Sequence, residues 1–143
     1  MKWEKFEESK TELPEVIVEK LIEGFSIATK DLAQLSVIEF TTNERLTSKL
    51  KTRFQFKLIL SSKDVPDYSF KVLEFGYAVN IYPVKLIISN AILFELNNNS
   101  EAPEQILNSE KDFKEAVELV FSTKSFTEIV SGLMKIAKRH SIF

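Results

Sequence analysis

Residues 46–60 read LTSKLKTRFQFKLIL, and the alternation of apolar and polar side chains in this stretch decides the expected fold. The apolar side chains occupy even positions: Leu46, Leu50, Phe54, Phe56, Leu58 and Leu60. Polar side chains occupy odd positions, and four of the five are cationic: Lys49, Lys51, Arg53, Gln55 and Lys57. A period of two is typical of a β-strand, whose successive side chains point to opposite faces. The pattern therefore predicts one strand over 46–60 with an apolar face and a basic face.

Two further strands are expected C-terminal to this one. The segment 61–67 reads SSKDVPD and is rich in turn formers, so it predicts a hairpin loop. In 68–82 the parity of the apolar positions changes between Val72 and Leu73, which predicts a strand with a β-bulge. In 84–96 apolar residues occupy both parities, so this strand is expected to be covered on both faces or to contact another subunit.

Helices are predicted before and after these strands. Residues 14–23 have helical periodicity and begin with proline, a favourable first residue of a helix. Residues 25–42 are expected to form one or two strands, and TTNERLTS (41–48) is expected to be a turn or short connection. After a polar loop at 97–105, Ser109 and Ser125 are each followed three residues later by an acidic residue. That spacing is typical of helix N-termini, and apolar residues at helical spacing follow both serines.

The order of these elements, with the strands together and the last helices after them, favours the α+β class. We therefore predict a single α+β domain, residues 1–143, with a four- to five-stranded antiparallel sheet. The N-terminal helix and the two C-terminal helices are expected to pack on one face of that sheet. A chain of 143 residues with 44% hydrophobic residues is long and apolar enough to bury such a core.

Composition restricts the compartment in which the protein is expected to work. The chain has no cysteine, which excludes disulfides and thiolate catalysis and favours the cytoplasm. Residues 1–15 are charged and lack the apolar segment of a secretion signal. No apolar run approaches the roughly 20 residues that a membrane-spanning helix needs. We therefore expect a cytoplasmic protein that has no membrane as a partner.

Residues that carry enzyme chemistry are scarce in the sequence. The single histidine is His140, whereas a zinc site needs several His or Cys ligands. Gly24, Gly76 and Gly132 are too far apart to form a phosphate-binding loop. Glu74, within an apolar strand, is the best acid–base candidate, but it lies beside the change of parity and is expected to point outward. The sequence therefore predicts no enzyme activity, no metal and no cofactor.

The polar face of 46–60 is a candidate partner-binding surface. Cations on alternate strand residues lie about 6.6 Å apart, a spacing that a phosphate backbone or an acidic protein can follow. Single-strand nucleic-acid binders combine such cations with aromatic side chains, but Phe54 and Phe56 lie on the opposite face, which disfavours nucleic acid. A solvent-exposed face, or lysines that protect a sheet edge, remains the alternative. With the second apolar face of 84–96, the predicted partner-binding residues are Lys49, Lys51, Arg53, Lys57, Ile87 and Leu93.

The C-terminal half contains a recognisable order of motifs. The last predicted strand ends in NAILFELNNN (90–99), an acidic loop follows, and the final helix reads FTEIVSGLMKIAKRH (126–140). This order, over residues 46–140, resembles that of the SecB-like export chaperones. The family's Pro-Tyr pair before the last helix is replaced by Ser125-Phe126, its proline-rich ending is missing, and the N-terminal helix is additional. The resemblance implies a tetrameric holdase that grips unfolded polypeptides in apolar grooves.

From these observations we expect a non-enzymatic protein that binds a polypeptide or partner protein, in its narrower form a SecB-like holdase. A homo-oligomer is expected because the two apolar faces of 84–96 need cover, and an edge at 46–60 would accept an added strand. One alternative is a small-molecule-binding protein, with Glu74 in an apolar cavity lined by Phe70, Phe75, Tyr77 and Phe94. Another is an antitoxin, immunity protein or mobile-element regulator with one acidic partner.

Overall fold

The computed structural model describes residues 1–97 and 104–141 of the chain. These residues form a five-stranded sheet with helices before, between and after the strands. In chain order the elements are α1 (Pro14–Leu21), α2 (Phe25–Ala28), β1 (Gln34–Glu39), α3 (Thr42–Thr47), β2 (Phe54–Ser61), β3 (Ser69–Tyr77), β4 (Val84–Ile88), α4 (Asn90–Asn97), β5 (Glu104–Leu107), α5 (Glu110–Phe121) and α6 (Lys124–Ser141).

The sheet is antiparallel throughout, and its strand order follows the sequence from β1 to β5. Residues directly opposite each other in an antiparallel pair point to the same face. Phe56, Phe75 and Leu86 lie opposite one another across three strands, and the rings of Phe56 and Phe75 stack with centroids 5.5 Å apart. We call the mainly apolar face that contains these three residues the core face. The predicted antiparallel sheet is confirmed, with five strands.

Helices α1, α5 and α6 pack on the core face. The ring of Phe113 in α5 lies 5.3 Å from that of Phe75, measured between centroids, and Ile17 and Val18 of α1 belong to the same buried cluster. In α6 the buried residues recur at intervals of three and four, as the sequence predicted: Phe126, Val130, Leu133 and Ala137. The α+β class, with an N-terminal helix and two C-terminal helices on one face, is therefore confirmed.

The strand predicted over 46–60 is correct only in its second half, because β2 begins at Phe54. The first residues of the stretch belong to α3, which a capping box starts. The Thr41 side chain accepts a hydrogen bond from the Glu44 N–H, and the Glu44 carboxylate accepts one from the Thr41 N–H. These two bonds favour a helix where the alternation of apolar residues favoured a strand.

The segment between α3 and β2 also departs from the predicted apolar face. Leu46 is 79% exposed, whereas Leu50 is fully buried. Lys51 adopts a left-handed φ of 52°, which interrupts an extended chain. In the sheet, β2 lies between β1 and β3, so the prediction that 46–60 forms an edge is wrong.

The strand predicted over 84–96 is also too long. β4 ends at Ile88, and the N–H groups of Ile92 and Leu93 both donate to the Ser89 carbonyl oxygen at the start of α4. Apolar residues at short spacing do not distinguish a buried strand from a short buried helix. The strand with two apolar faces, on which the expected oligomer partly depended, therefore stops at Ile88.

Three smaller expectations need correction. Of the one or two strands predicted in 25–42, one is formed, β1, whereas Phe25–Ala28 form a single helical turn. The connection predicted at 41–48 is largely α3. Helix α6 begins one residue before Ser125, and the Thr123 hydroxyl accepts the hydrogen bond from the Phe126 N–H, so Ser125 is not the capping residue.

Other local predictions are confirmed. β2 and β3 form a hairpin around the turn at 61–67, and the register changes from Leu58 opposite Leu73 to Ile59 opposite Lys71, which leaves Val72 as the bulged residue. The polar loop predicted at 97–105 lies mostly outside the described residues, and its last two positions belong to β5. No helix in the described part of the chain is both long and apolar enough to cross a membrane.

Candidate functional site

The face of the sheet opposite the core face, which we call the back face, mixes charged and apolar side chains. One row of residues that lie opposite each other crosses all five strands: Ile38, Lys57, Glu74, Ile87 and Glu104. Neighbouring opposite charges in such a row attract one another. Lys57 and Glu74 are placed this way, at the centre of the sheet. The back face therefore presents a polar centre flanked by isoleucines.

The chain between β1 and β2 folds over part of the back face. Phe40 is 7% exposed but lies outside the main core, and the Lys57 Nζ is 5.9 Å from the centroid of its ring. Glu44 of α3 forms an ion pair with Lys57. Since Lys57 points to the back face, these contacts fix α3 above that face and leave a space beside it.

A cleft of about 690 Å³ lies between the back face, α3 and the start of α4, and we call it the back-face cleft. Its apolar lining residues are Phe40, Leu73, Ile87, Ile88 and Leu93. The side chains of Leu73 and Ile88 point to the core face, so among the strand residues only Ile87 turns an apolar side chain toward the cleft. Its polar lining consists of Glu44, Thr47, Ser48, Lys49, Lys71, Glu74, Ser89 and Asn90. Three separate parts of the fold thus contribute, which makes the cleft a product of tertiary structure.

Both carboxylates of the cleft are already paired with lysines. Lys71 Nζ donates to Glu74 Oε2 at 3.0 Å, and Glu74 itself is only 8% exposed. Lys57 pairs with Glu44. The hydrogen bond from Lys57, together with the bond from the Thr41 N–H, holds the pKa of Glu44 below its ordinary value of 4.5. Glu44 is therefore ionised at neutral pH, and a carboxylate of low pKa is a weak general base.

The predicted partner-binding residues divide into two groups. Lys49, Ile87 and Leu93 line the back-face cleft, and Lys57 lies at its side through its bond to Glu44. Lys51 and Arg53 are exposed and do not line the cleft. The expectation that all four cations share one strand face is wrong, because residues 48–53 are not part of a strand.

Several residues of the cleft were not found from the sequence. Phe40 and Glu44 enter it because α3 folds back onto the sheet, although the spacing of Thr41 and Glu44 was a readable capping signal. Ser89 and Asn90 were not recognised, because the sequence predicted that they lie within a strand over 84–96. Glu74, by contrast, was singled out, and it is buried instead of pointing into solvent.

The apolar cavity expected for the small-molecule alternative is not formed by the residues named for it. Phe75 and Tyr77 are packed in the core, and Phe94 is 74% exposed on α4. Neither these three nor Phe70 lines the back-face cleft. Within residues 1–97 and 104–141 there is also no group of three or more His, Cys, Asp or Glu side chains that could hold a metal ion.

Comparison with known proteins gives no family for this chain. It matches no protein-family model, no curated protein and no solved structure. Its function therefore has to be inferred from the back-face cleft and from the contacts of the residues that line it.

Proposed function

We propose that the protein binds an extended segment of polypeptide in the back-face cleft and catalyses no reaction. The observation that carries this proposal is the composition of the cleft, in which Phe40, Ile87 and Leu93 lie among polar residues, and the two carboxylates, Glu44 and Glu74, are paired with lysines. An extended polypeptide offers the same combination, since its side chains alternate with backbone N–H and C=O groups.

The balance of the lining residues supports a polypeptide over a small molecule. Eight of the thirteen residues that line the cleft are polar or charged. Small-molecule sites are mostly apolar and enclose their ligand, with only a few polar groups. Protein interfaces instead combine an apolar centre with a polar rim. The volume of about 690 Å³ and the presence of Glu74 keep a small ligand as a second candidate.

The ion pairs support a binding role over a catalytic one. A general base must accept a proton, yet Glu74 and Glu44 each accept a hydrogen bond from a lysine. The same pairs are useful for binding, because they hold Lys71 and Glu74 in fixed positions from which they can bond a peptide group. In its narrower form the proposal is a SecB-like holdase, for which we would expect suppression of aggregation of an unfolded substrate.

The proposal is tested with fluorescently labelled, reduced and carboxymethylated lactalbumin, a polypeptide that cannot fold. We compare wild-type protein with Ile87→Ser, which removes an apolar side chain from the cleft, and with Ile136→Ser as the matched control. Ile136 is 51% exposed on α6, away from the cleft lining. Burial of one isoleucine is worth about 1.5–3 kcal/mol, so fluorescence anisotropy should show affinity at least about tenfold weaker for Ile87→Ser alone.

Three results would overturn the proposal. The first is that the wild-type protein does not bind the polypeptide. The second is that Ile87→Ser binds as tightly as wild type. The third is that Ile136→Ser weakens binding as much as Ile87→Ser does. If the wild-type protein binds but does not suppress aggregation of the unfolded chain, only the holdase form is lost.

A further inference from the structure

Strand β1 (Gln34–Glu39) is an edge of the sheet. It pairs with β2 on one side, and no other strand of the described residues pairs with it. Exposed edges are normally protected by lysine, proline, a bulge or a covering segment. The sequence of β1, QLSVIE, contains neither lysine nor proline, and its register with β2 runs without a bulge from Gln34 opposite Ser61 to Glu39 opposite Phe56.

The free side of β1 presents backbone groups at alternate residues. Phe40, just after the strand, donates its N–H to the Gln55 carbonyl oxygen at 2.9 Å and so continues the ladder with β2. In antiparallel pairs every second residue bonds to a given neighbour, so Ser36 and Ile38 face β2. Leu35 and Val37 therefore direct their N–H and C=O groups outward. Among the described residues, no turn or loop backbone group bonds to these outward N–H and C=O groups of Leu35 and Val37.

The sequence of β1 is self-complementary in one antiparallel register. If Ser36 lies opposite Ser36 of a second copy, Leu35 of each copy lies opposite Val37 of the other. Leu35 and Val37 both point to the core face, where each is partly buried against the core. In this register the apolar core faces of the two copies are therefore continuous. Gln34 then lies opposite Ile38, and no like charges oppose each other. The pairing ends there, because the N–H and C=O groups of Ala33 are both bonded to the Thr29 hydroxyl.

We propose that two copies of the chain associate through β1, antiparallel and centred on Ser36, to form one continuous sheet. The outward N–H and C=O groups of Leu35 in each copy then bond to those of Val37 in the other copy. Because the two-fold axis is perpendicular to the sheet, the back faces of both copies lie on the same side. The two back-face clefts are thereby presented side by side, although the association does not depend on what the clefts bind. Ile38, which is 43% exposed at this edge, gains Gln34 of the second copy as a neighbour.

The register can be tested with paired charges at Ser36. Size-exclusion chromatography with light scattering at about 100 µM, where a micromolar complex is well populated, should give wild type twice the 16.5 kDa mass of the chain. Ser36→Lys and Ser36→Glu should each give the monomer mass, because like charges then meet at the centre of the interface. An equimolar mixture of the two variants should recover the dimer. Ser69→Lys is the control, since Ser69 lies on β3 within the sheet and is exposed.

A second variant, Val37→Pro, removes an outward N–H without removing a bond to β2, and should also give the monomer with an unchanged far-ultraviolet spectrum. A monomeric wild-type protein would overturn the proposal, even if β1 were then found to pair with a strand of another protein. A dimer that persists in both Ser36 variants and in Val37→Pro would also overturn it, because the interface would then lie elsewhere.

Discussion

The hydroxyl of Tyr77 on β3 donates a hydrogen bond to the carboxylate of Glu15 on α1, with oxygen–oxygen distances of 2.6 and 2.9 Å to its two oxygens. This bond joins the core face of the sheet to the N-terminal helix. Burial, followed by the bond to Glu15 and its charge, raises the pKa of Tyr77 above its ordinary value of 10. The hydroxyl of Tyr82 provides a contrast, because it is buried and has no hydrogen-bond partner among the described residues.

These two tyrosines allow a matched comparison of stability. Tyr77→Phe removes a hydrogen bond to a charged group and leaves Glu15 without its donor, so we expect a loss of about 1–3 kcal/mol in the free energy of unfolding. Tyr82→Phe removes an unpaired buried hydroxyl and should be neutral or slightly stabilising. Urea denaturation measures both, and equal losses for the two variants would contradict the described contacts.

Tyr82 also predicts how stability changes at high pH. Burial and the nearby charges of Glu110 and Glu12 raise the pKa of Tyr82 to about 12. The folded state therefore disfavours the ionised phenol, and stability is lost as pH rises from the unfolded value of about 10 through 12. Tyr82→Phe should reduce this loss in denaturation curves measured across that interval. An identical pH dependence for wild type and variant would show that Tyr82 is not buried in this way.

Glu95 links α4 to the start of α6 and provides a test at low pH. Its carboxylate accepts hydrogen bonds from the Ser125 hydroxyl and from the N–H groups of Lys124 and Ser125 at 2.7–2.8 Å. The bond from the Ser125 side chain is the main reason that the pKa of Glu95 is lowered from 4.5. A lowered carboxyl pKa stabilises the fold above about pH 4.5, and this contribution is lost as pH falls through the folded value.

Glu95→Gln should therefore destabilise the protein at neutral pH and flatten its loss of stability on acidification. Glu128→Gln is the control, because Glu128 only forms an exposed ion pair with Lys124 at 3.7 Å. Thermal denaturation at several pH values measures both variants. If Glu95→Gln behaves like Glu128→Gln, then α4 does not support the start of α6.

The glycines provide a further test of how the chain covers the back face. A Cβ atom on Gly76 would lie 2.0 Å from the Thr52 hydroxyl oxygen and 3.0 Å from the Phe54 carbonyl oxygen. We therefore expect Gly76→Ala to cost about 1–3 kcal/mol, since the segment that contains Thr52 has to move. Gly132→Ala in α6 meets no atom within 4 Å and should stabilise the helix by about 0.5–1 kcal/mol. Chemical denaturation of the two variants should thus give changes of opposite sign.

The ion pair between Glu74, which is buried, and Lys71, whose side chain is half exposed, is tested by removing its cation. Lys71→Met leaves the carboxylate of Glu74 with one fewer partner at a position that is 8% exposed, so we expect a loss of about 1–3 kcal/mol. Lys124→Met, in the exposed pair with Glu128, should cost less than about 0.5 kcal/mol. Similar urea midpoints for both variants would show that Glu74 is solvated and that the cleft is more open than described.

Predictions from sequence succeeded where burial on a single face determined the structure. The second half of 46–60 became β2 because Phe56, Leu58 and Leu60 all face the core. The bulge near Val72 was visible because it reverses the parity of the apolar positions. The apolar stripe of α6 was equally clear, since a long amphipathic helix repeats its pattern several times.

Predictions failed where two kinds of structure share the same local pattern. Leu46 fits a short helix as well as an alternating strand, and capping by Thr41 placed it in α3, which ends before Leu50. The apolar run at 90–96 was ambiguous for a similar reason. The back-face cleft was beyond sequence reasoning, because it exists only after α3 folds over the sheet beside Lys71 and Glu74.

Binding of polypeptide in the back-face cleft is tested most directly by following isoleucine methyl signals in NMR spectra while reduced, carboxymethylated lactalbumin is added. Ile87 points to the back face and lines the cleft, whereas Ile27 and Ile136 are exposed elsewhere, at 82% and 51%. We predict that the signal of Ile87 shifts or broadens with added polypeptide while those of Ile27 and Ile136 do not change. An unchanged signal of Ile87, or changes confined to Ile27 and Ile136, would contradict this assignment of the site.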